Sequence, residues 1–403
     1  MRVNVRTSLG LAVHHRLHSL TAYRTLRFSA RELRAENTFS SLTSRPAMFR
    51  HRIQVSSVLL TVALVFFLSR VSNFVSAVDT SRRNESKPAC NPGSTIGRRP
   101  ACVDRVVRYH PSDTEASWLK AISNVKSDER SWNEGCHKVR AEESELREMI
   151  SGIQRLAGAE KEEISKRHLS SHEVENCAGV KRRVYLEPLV SFLRHPLALC
   201  AENDDVDVLD KSYLLVPRVE EVTHADSYKW LFDAGASTYN TGAGGASQSW
   251  FVETYRARGI EFDRIIGWEA ARTDPKTQWG DIPADIKRKT SWYNIPASAT
   301  VGHADNPLTF IKALTKPEDF VVFKLDIDTP EVEVSLVQQL MNDTELHTLI
   351  DEFYFEHHVK GSPMQWHGWG DLRRHETPLN DIQDSYEVFY YLREKGIRAH
   401  SWV

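Results

Sequence analysis

Residues 226–403 are predicted to form an α/β fold, a Rossmann-like, doubly wound and mostly parallel sheet with helices on both faces. Three observations predict it. Short runs rich in β-branched and aromatic residues alternate with segments of helical period from about residue 226 onward. Several of these runs end in an acid. The first leads into a long glycine-rich loop that opens a helix. Alternation of this kind builds βαβ units, and ligands of such sheets bind beyond the carboxyl ends of the strands.

The strand segments are KWLFDAG (229–235), FDRIIGWEA (262–270), SWYNIPAS (291–298), DFVVFKLDID (319–328), DEFYFEHHV (351–359) and IRAHSWV (397–403). The helical segments between them are SQSWFVETYRARG, NPLTFIKALTK, TPEVEVSLVQQLMND and DIQDSYEVFYYLREKG. Asp233 closes the first strand, and Gly235 with Ala236 permits a tight turn and close approach of a ligand to the backbone. The next helix is predicted to start at Ser247 and to end at Gly259, with Arg256 and Arg258 in its last turn. A helix start after such a turn suits an anionic or polar group. No GK[ST] follows, which excludes a P-loop. GAGGAS (242–247) approximates the dinucleotide pattern but begins seven residues after Gly235, so 238–246 reads as an inserted loop. The second strand ends in GWEA, where an acid binds ribose hydroxyls in nucleotide folds, and that acid is Glu269.

FDAGAS, GWEA and FKLDIDTPEVE, in that order, resemble the motifs of class I S-adenosylmethionine-dependent methyltransferases. The last is most similar to the K-x-D-x-E-G-x-E segment of FkbM-type methyltransferases, and the resemblance covers residues 226–403. It implies S-adenosylmethionine as cofactor. It implies that Asp233, Gly235 and Ser237 form the turn at the methionine end and that Glu269 holds the ribose. It places Asp305, after the third strand, against the adenine, and Asp326, at the fourth strand end, beside the methyl group. Ser237 stands where many members have a second glycine, and Asp328-Thr329-Pro330 replaces the usual Glu-Gly-Ala.

The same stretch has a reading of its own. Thr329 is a helix cap, Pro330 suits the first helical position and Glu331 complements the helix dipole. Asp326 and Asp328 share a crevice only if the strand stops or twists between them. They read either as capping and structural acids or as ligands of a hard divalent ion, Mg²⁺ or Mn²⁺. The fifth strand ends in Glu356-His357-His358, and alternation sends one histidine to the crevice and the other to the opposite face. A histidine near Asp326 is suited to general-base work on a hydroxyl; the alternatives are metal ligation and ordinary packing. MQWHGWGDLRRH (364–375), with Trp366 and Trp369, reads as a substrate-side loop or as a packed one.

Upstream of 226 the chain divides by composition. Residues 1–52 carry ten arginines, no lysine and two acids, and read as a disordered basic tail. Residues 53–78 hold a charge-free stretch of 17 residues, Ile53 to Ser69, after Arg50-His51-Arg52. That pattern predicts a signal-anchor with the N-terminus in the cytosol and a type II, lumenal layout in the ER or Golgi. A cleaved secretory signal starting at Met48 and an organelle transit peptide are the competing readings. Residues 79–112 read as a linker or stem, and 113–225 as a helical, cysteine-containing region. In that region Leu146, Ile150, Ile153 and Leu156 form one apolar stripe. The five cysteines suit two disulfides and one spare thiol in an oxidising lumen. Sequons begin at Asn84 and Asn342. A net charge of −2 gives no global signal for nucleic acid.

Three functions compete on these grounds. One is a membrane-anchored methyltransferase acting on a hydroxyl or amine of a small molecule or glycan, with His357 or His358 as base and Asp326 orienting. Another is a type II glycosyltransferase using Asp326-x-Asp328 with a metal. The third is a catalytically inactive Rossmann-like binding protein.

Overall fold

The computed structural model describes residues 103–125, 129–157, 167–201, 206–222, 227–240, 247–362, 364, 369 and 377–402. The basic tail, the apolar segment 53–78, the sequon at Asn84 and the inserted loop 241–246 lie outside the described residues. Among the described residues no helix is long and apolar enough to cross a membrane.

The chain enters through β1 (Arg105–His110), α1 (Asp113–Ile122), α2 (Glu129–Ala141) and α3 (Glu143–Ala157), then β2 (Ser170–Glu175), β3 (Lys181–Leu186) and the short α4 (Val219–Val222). Ser112 caps α1 by accepting from the Glu115 amide. Leu146, Ile150 and Ile153 turn inward from α3, as their spacing requires. β1, β2 and β3 pair as an antiparallel meander. This corrects two expectations: β1 lies in the segment read as stem, and the segment read as helical contains β2 and β3. Their sequences, RVVRYH, SSHEVE and KRRVYL, carry so many charged and polar residues that no apolar run marks them.

The second sheet is built from β4 (Lys229–Ala234), then α5 (Ser247–Ala257), β5 (Arg264–Trp268), α6 (Pro275–Gly280), α7 (Ala284–Lys287), β6 (Thr290–Tyr293), α8 (Pro307–Leu314), β7 (Phe320–Leu325), α9 (Pro330–Asn342), α10 (Leu346–Leu349), β8 (Glu352–Phe355), α11 (Ile382–Glu394) and β9 (Arg398–Ser401). Its order is β6-β5-β4-β7-β8-β9, and every pairing is parallel. Counted from β4 the order is 3-2-1-4-5-6, the doubly wound arrangement, with its switch point between β4 and β7. Five of the six strands fall inside the predicted segments, and β6 begins one residue before its segment, at Thr290. α6 and α7 were not anticipated.

Both faces of the sheet are covered. Leu231, Ile265, Phe320, Val322 and Tyr354 pack with Phe251 and Tyr255 of α5. The alternate residues Phe232, Val321, Phe323, Phe353 and Phe355 pack under α8, α9 and α11. β7 is buried along its whole length, as expected of a central parallel strand. Trp118, Val139, Leu146 and Ile153 of the N-terminal helices join the second of these clusters, so 113–225 shares its core with the sheet.

Buried charge adds to that union. The Arg393 guanidinium on α11 donates to Glu115 of α1 at 3.2 Å, to Glu187 at 3.1 Å and to the Tyr109 hydroxyl of β1 at 3.1 Å. Arg398 on β9 pairs with Glu352 on β8 at 2.5 Å. Cys136 and Cys200 are joined by a disulfide with a Cα–Cα distance of 4.9 Å, and Cys177 is disulfide-bonded as well.

Candidate functional site at the switch point

The parity of two parallel strands creates the floor of the site. Asp233 on β4 lies opposite Lys324 on β7, and both side chains leave the same face of the sheet. The Lys324 ammonium, 1% exposed, sits 3.4 Å from Asp233 Oδ1 and 3.1 Å from Asp326 Oδ2. It also donates to the Gly235 carbonyl at 2.7 Å. Burial alone would lower Lys324, but Asp326 and Asp233 outweigh it and raise its pKa. Asp233 itself is fully buried and accepts from Gln248 Nε2 of α5 at 3.2 Å. It therefore shapes the turn from beneath, through Lys324 and Gln248.

The turn follows from Gly235. Its φ is +83°, and its backbone lies against the end of β7. The amides of Gly235 and Ala236 both donate to the Trp268 carbonyl at 3.0 Å. Ser237 also has a positive φ, +46°, and its amide donates to Glu269 Oε2 at 2.9 Å. Glu269 Oε1 accepts from the Ala271 amide at 2.7 Å. Each carboxylate oxygen thus keeps acceptor capacity beyond its backbone donor. Asp305 sits in the turn before α8. Among the described residues its polar contacts are with His303 and Ser298, not with Glu269 or the Asp233–Ser237 turn.

At the carboxyl ends of β7 and β8 the acids converge. β7 stops at Leu325, Asp328 turns into a left-handed φ of +54°, and its side chain is 61% exposed. Thr329 occupies the N-cap position of α9, but its hydroxyl donates to the Ile327 carbonyl. The buried Glu333 accepts from the Ile327 amide at 2.8 Å and so ties the turn after β7 to α9.

Alternation separates the two histidines. His357 shares parity with Phe353 and Phe355 and lies in the core, stacked on Phe355 at 4.7 Å, with Nε2 donating to the Leu379 carbonyl at 2.8 Å. Burial lowers it to about 3, so it is a neutral packed ring. The expectation of His357 as a base is corrected on that ground.

His358 lies on the side of Asp326, with its side chain fully buried. Its Nε2 is 3.5 Å from Asp328 Oδ1 and 3.6 Å from Glu356 Oε2, and its Nδ1 is 3.4 Å from Glu333 Oε2. Burial works against its charge, but Asp328 and Glu333 raise it to about 10. The other Glu356 oxygen accepts from Arg194 at 2.5 Å and from the Trp369 indole at 3.0 Å. Burial would raise Glu356, yet Arg194 and His358 hold it down to about 2. Burial raises the neighbouring Asp326 to about 7; Lys324 pulls the other way, and Glu356 adds to the rise.

The expected metal pair therefore comes apart. Among the described residues the group of three possible ligands is Asp328, Glu356 and His358, while Asp326 is engaged by Lys324. Lys324, Glu333 and Arg194 had no role in the sequence reading. Glu333 had a signal, an acid flanked by valines in a helix that packs on the sheet. Arg194 had none, because it stands 162 residues from Glu356. Trp369 packs over Arg194 and His358 rather than standing free as a lid; Trp366 lies outside the described residues. Compared with protein-family models, curated proteins and solved structures, the chain finds no match.

Proposed function

We propose that residues 226–403 form an S-adenosylmethionine-dependent methyltransferase domain acting on a hydroxyl or amine of a small molecule or glycan. The observation that carries this reading is the hydrogen bond from the Ser237 amide to Glu269, 2.9 Å long, between the carboxyl ends of β4 and β5 beside the switch point. It holds a glycine turn and an acid in the relation that a ribose-bearing ligand uses in doubly wound sheets. The residues fit such a cofactor: Glu269, at the end of β5, retains lone pairs for a vicinal diol. S-adenosylmethionine, when bound, supplies an electrophilic methyl group.

The chain's own work is then positioning and proton removal. Glu269 orients the ribose end. Lys324 fixes the turn from below. Asp326, half-buried at the end of β7, is placed to accept a proton from the acceptor. His358 is held as part of the acid cluster rather than as a free base.

We extend the reading to topology. Segment 53–78 anchors the chain as a type II membrane protein with residues 79–403 in an oxidising lumen. The Cys136–Cys200 disulfide supports an oxidising compartment. Asn342 is exposed at the end of α9, in keeping with an accessible sequon.

The test is calorimetry and thermal shift on the full chain in detergent. S-adenosylhomocysteine should bind and raise the apparent stability by mass action. Glu269→Ala should weaken binding at least about tenfold, the loss of one or two hydrogen bonds to a charged acceptor. Stabilisation by a UDP-sugar with Mn²⁺ but not by S-adenosylhomocysteine would replace this reading with the glycosyltransferase. Binding of neither would leave the inactive Rossmann-like protein.

A further inference from the structure

We infer that Asp328, Glu356 and His358 form a binding site for one first-row divalent cation of the Mn²⁺ to Zn²⁺ range, at the mouth of the crevice between β7 and β8. Ligand atoms about 2.1 Å from such an ion stand about 3.4 Å apart at tetrahedral angles and about 3.0 Å apart at right angles. The His358 Nε2 distances of 3.5 Å to Asp328 Oδ1 and 3.6 Å to Glu356 Oε2 lie at that spacing. All three ligand atoms lie within 4.8 Å of one another.

Proximity of acids alone would not make a site, and the imidazole supplies the second observation. The His358 ring is fully buried and neither nitrogen makes a well-aligned hydrogen bond; its contacts are ion-pair distances of 3.4–3.6 Å, with Nε2 set between Asp328 and Glu356. A buried polar atom without a hydrogen bond is costly, and a metal ion on Nε2, in place of a proton, would bond to it and to both carboxylates.

The surroundings are those that ligands need. Nδ1 faces the buried Glu333 at 3.4 Å, so a carboxylate stands behind the ring on the side away from the site. Arg194 and Trp369 occupy the far oxygen of Glu356, leaving Oε2 directed at the site. Asp328 completes the set from the solvent side, so the remaining coordination positions open outward. Mixed imidazole and carboxylate donors suit Mn²⁺ and Zn²⁺ better than Mg²⁺ or Ca²⁺, which prefer oxygen alone. On the methyltransferase reading, and resting on it, the open positions would take oxygens of the acceptor beside Asp326.

The full chain, stripped with chelator in detergent, is titrated separately with Mn²⁺, followed by electron paramagnetic resonance, and with Zn²⁺, followed by calorimetry. One ion per chain should bind. Asp328→Asn, at a position 61% exposed and with a side chain that keeps the left-handed turn accessible, should weaken binding at least about tenfold, and Glu333→Gln by about 10- to 100-fold. The inference is overturned if neither ion saturates the wild type, or if Asp328→Asn binds both as the wild type does. Metal binding is read without S-adenosylhomocysteine, so failure here and failure of the methyltransferase reading appear in different titrations.

Discussion

A β-carbon built on Gly235 would lie 1.6 Å from the carbonyl oxygen of Asp326. The two chains meet there because β4 and β7 are neighbours in register and both end at the switch point. With a φ of +83° the position is also closed to side chains on backbone grounds. Gly235→Ala should destabilise the fold by at least about 2 kcal/mol, from strain and forced displacement of β7. Denaturant unfolding of the two proteins measures it. A variant of wild-type stability would mean that the turn is placed wrongly.

Lys324 neutralises Asp233 and Asp326 at once. Lys324→Met removes the cation and leaves two acids in the floor of the crevice. Breaking a buried pair in this way costs about 3–5 kcal/mol. Adding Asp233→Asn to Lys324→Met should recover part of the loss, which separates charge from packing. No recovery would show that the lysine acts only as a space filler.

His172 reports on the junction between the two sheets. Its Nε2 donates to the Arg393 carbonyl at 2.8 Å, and burial, helped by the Arg398 cation, lowers it to about 3. The unfolded chain takes up a proton on this ring below about 6.5, whereas the folded chain does not. The contribution of the neutral ring is thus complete above the unfolded value and is lost as pH falls from about 6.5 toward 3. Between pH 7.5 and pH 5.0 His172 should account for about 2 kcal/mol of lost stability. Denaturation of wild type and His172→Gln at both pH values tests this; equal losses would refute it.

The Cys136–Cys200 disulfide spans 64 residues of sequence and ties α2 to the buried segment after β3. Closing a loop of that length in the unfolded chain is worth about 4 kcal/mol in the chain-entropy model, and measured effects run about 2–4 kcal/mol. Cys136→Ser should lower stability by that amount under non-reducing conditions. No change would argue against the disulfide in solution, and with it against the oxidising compartment.

Much of the sheet was legible because its strands announce themselves. FVVF and FYF are buried on both faces, so they appear as short apolar runs, with Asp326 and Glu356 just beyond their strands. The acids at the ends of β4, β5 and β7 could be read from strand ends alone. β1, β2 and β3 could not, since strands so rich in Arg, Lys, Glu and Ser look like loop, even where, as in β2, they are mostly buried. α6 and α7 are short pieces inside a polar stretch, below the length at which periodicity is readable.

The sequence by itself determined that Asp233, Glu269, Asp326 and Glu356 stand at carboxyl ends of strands, because hydrophobic period and strand length are local properties. It also determined that His357 and His358 must part company, since neighbours on an extended chain leave opposite faces. Only the tertiary structure decided which histidine meets the acids and which meets Phe355. It likewise decided that Asp328 joins Glu356 and His358 while Asp326 takes Lys324. Those outcomes depend on where β7 stops, on the left-handed turn at Asp328, and on Arg194 arriving from 162 residues away. Distance in sequence carries no information about such meetings; the packing of α9 and the 187–200 segment against one core creates them.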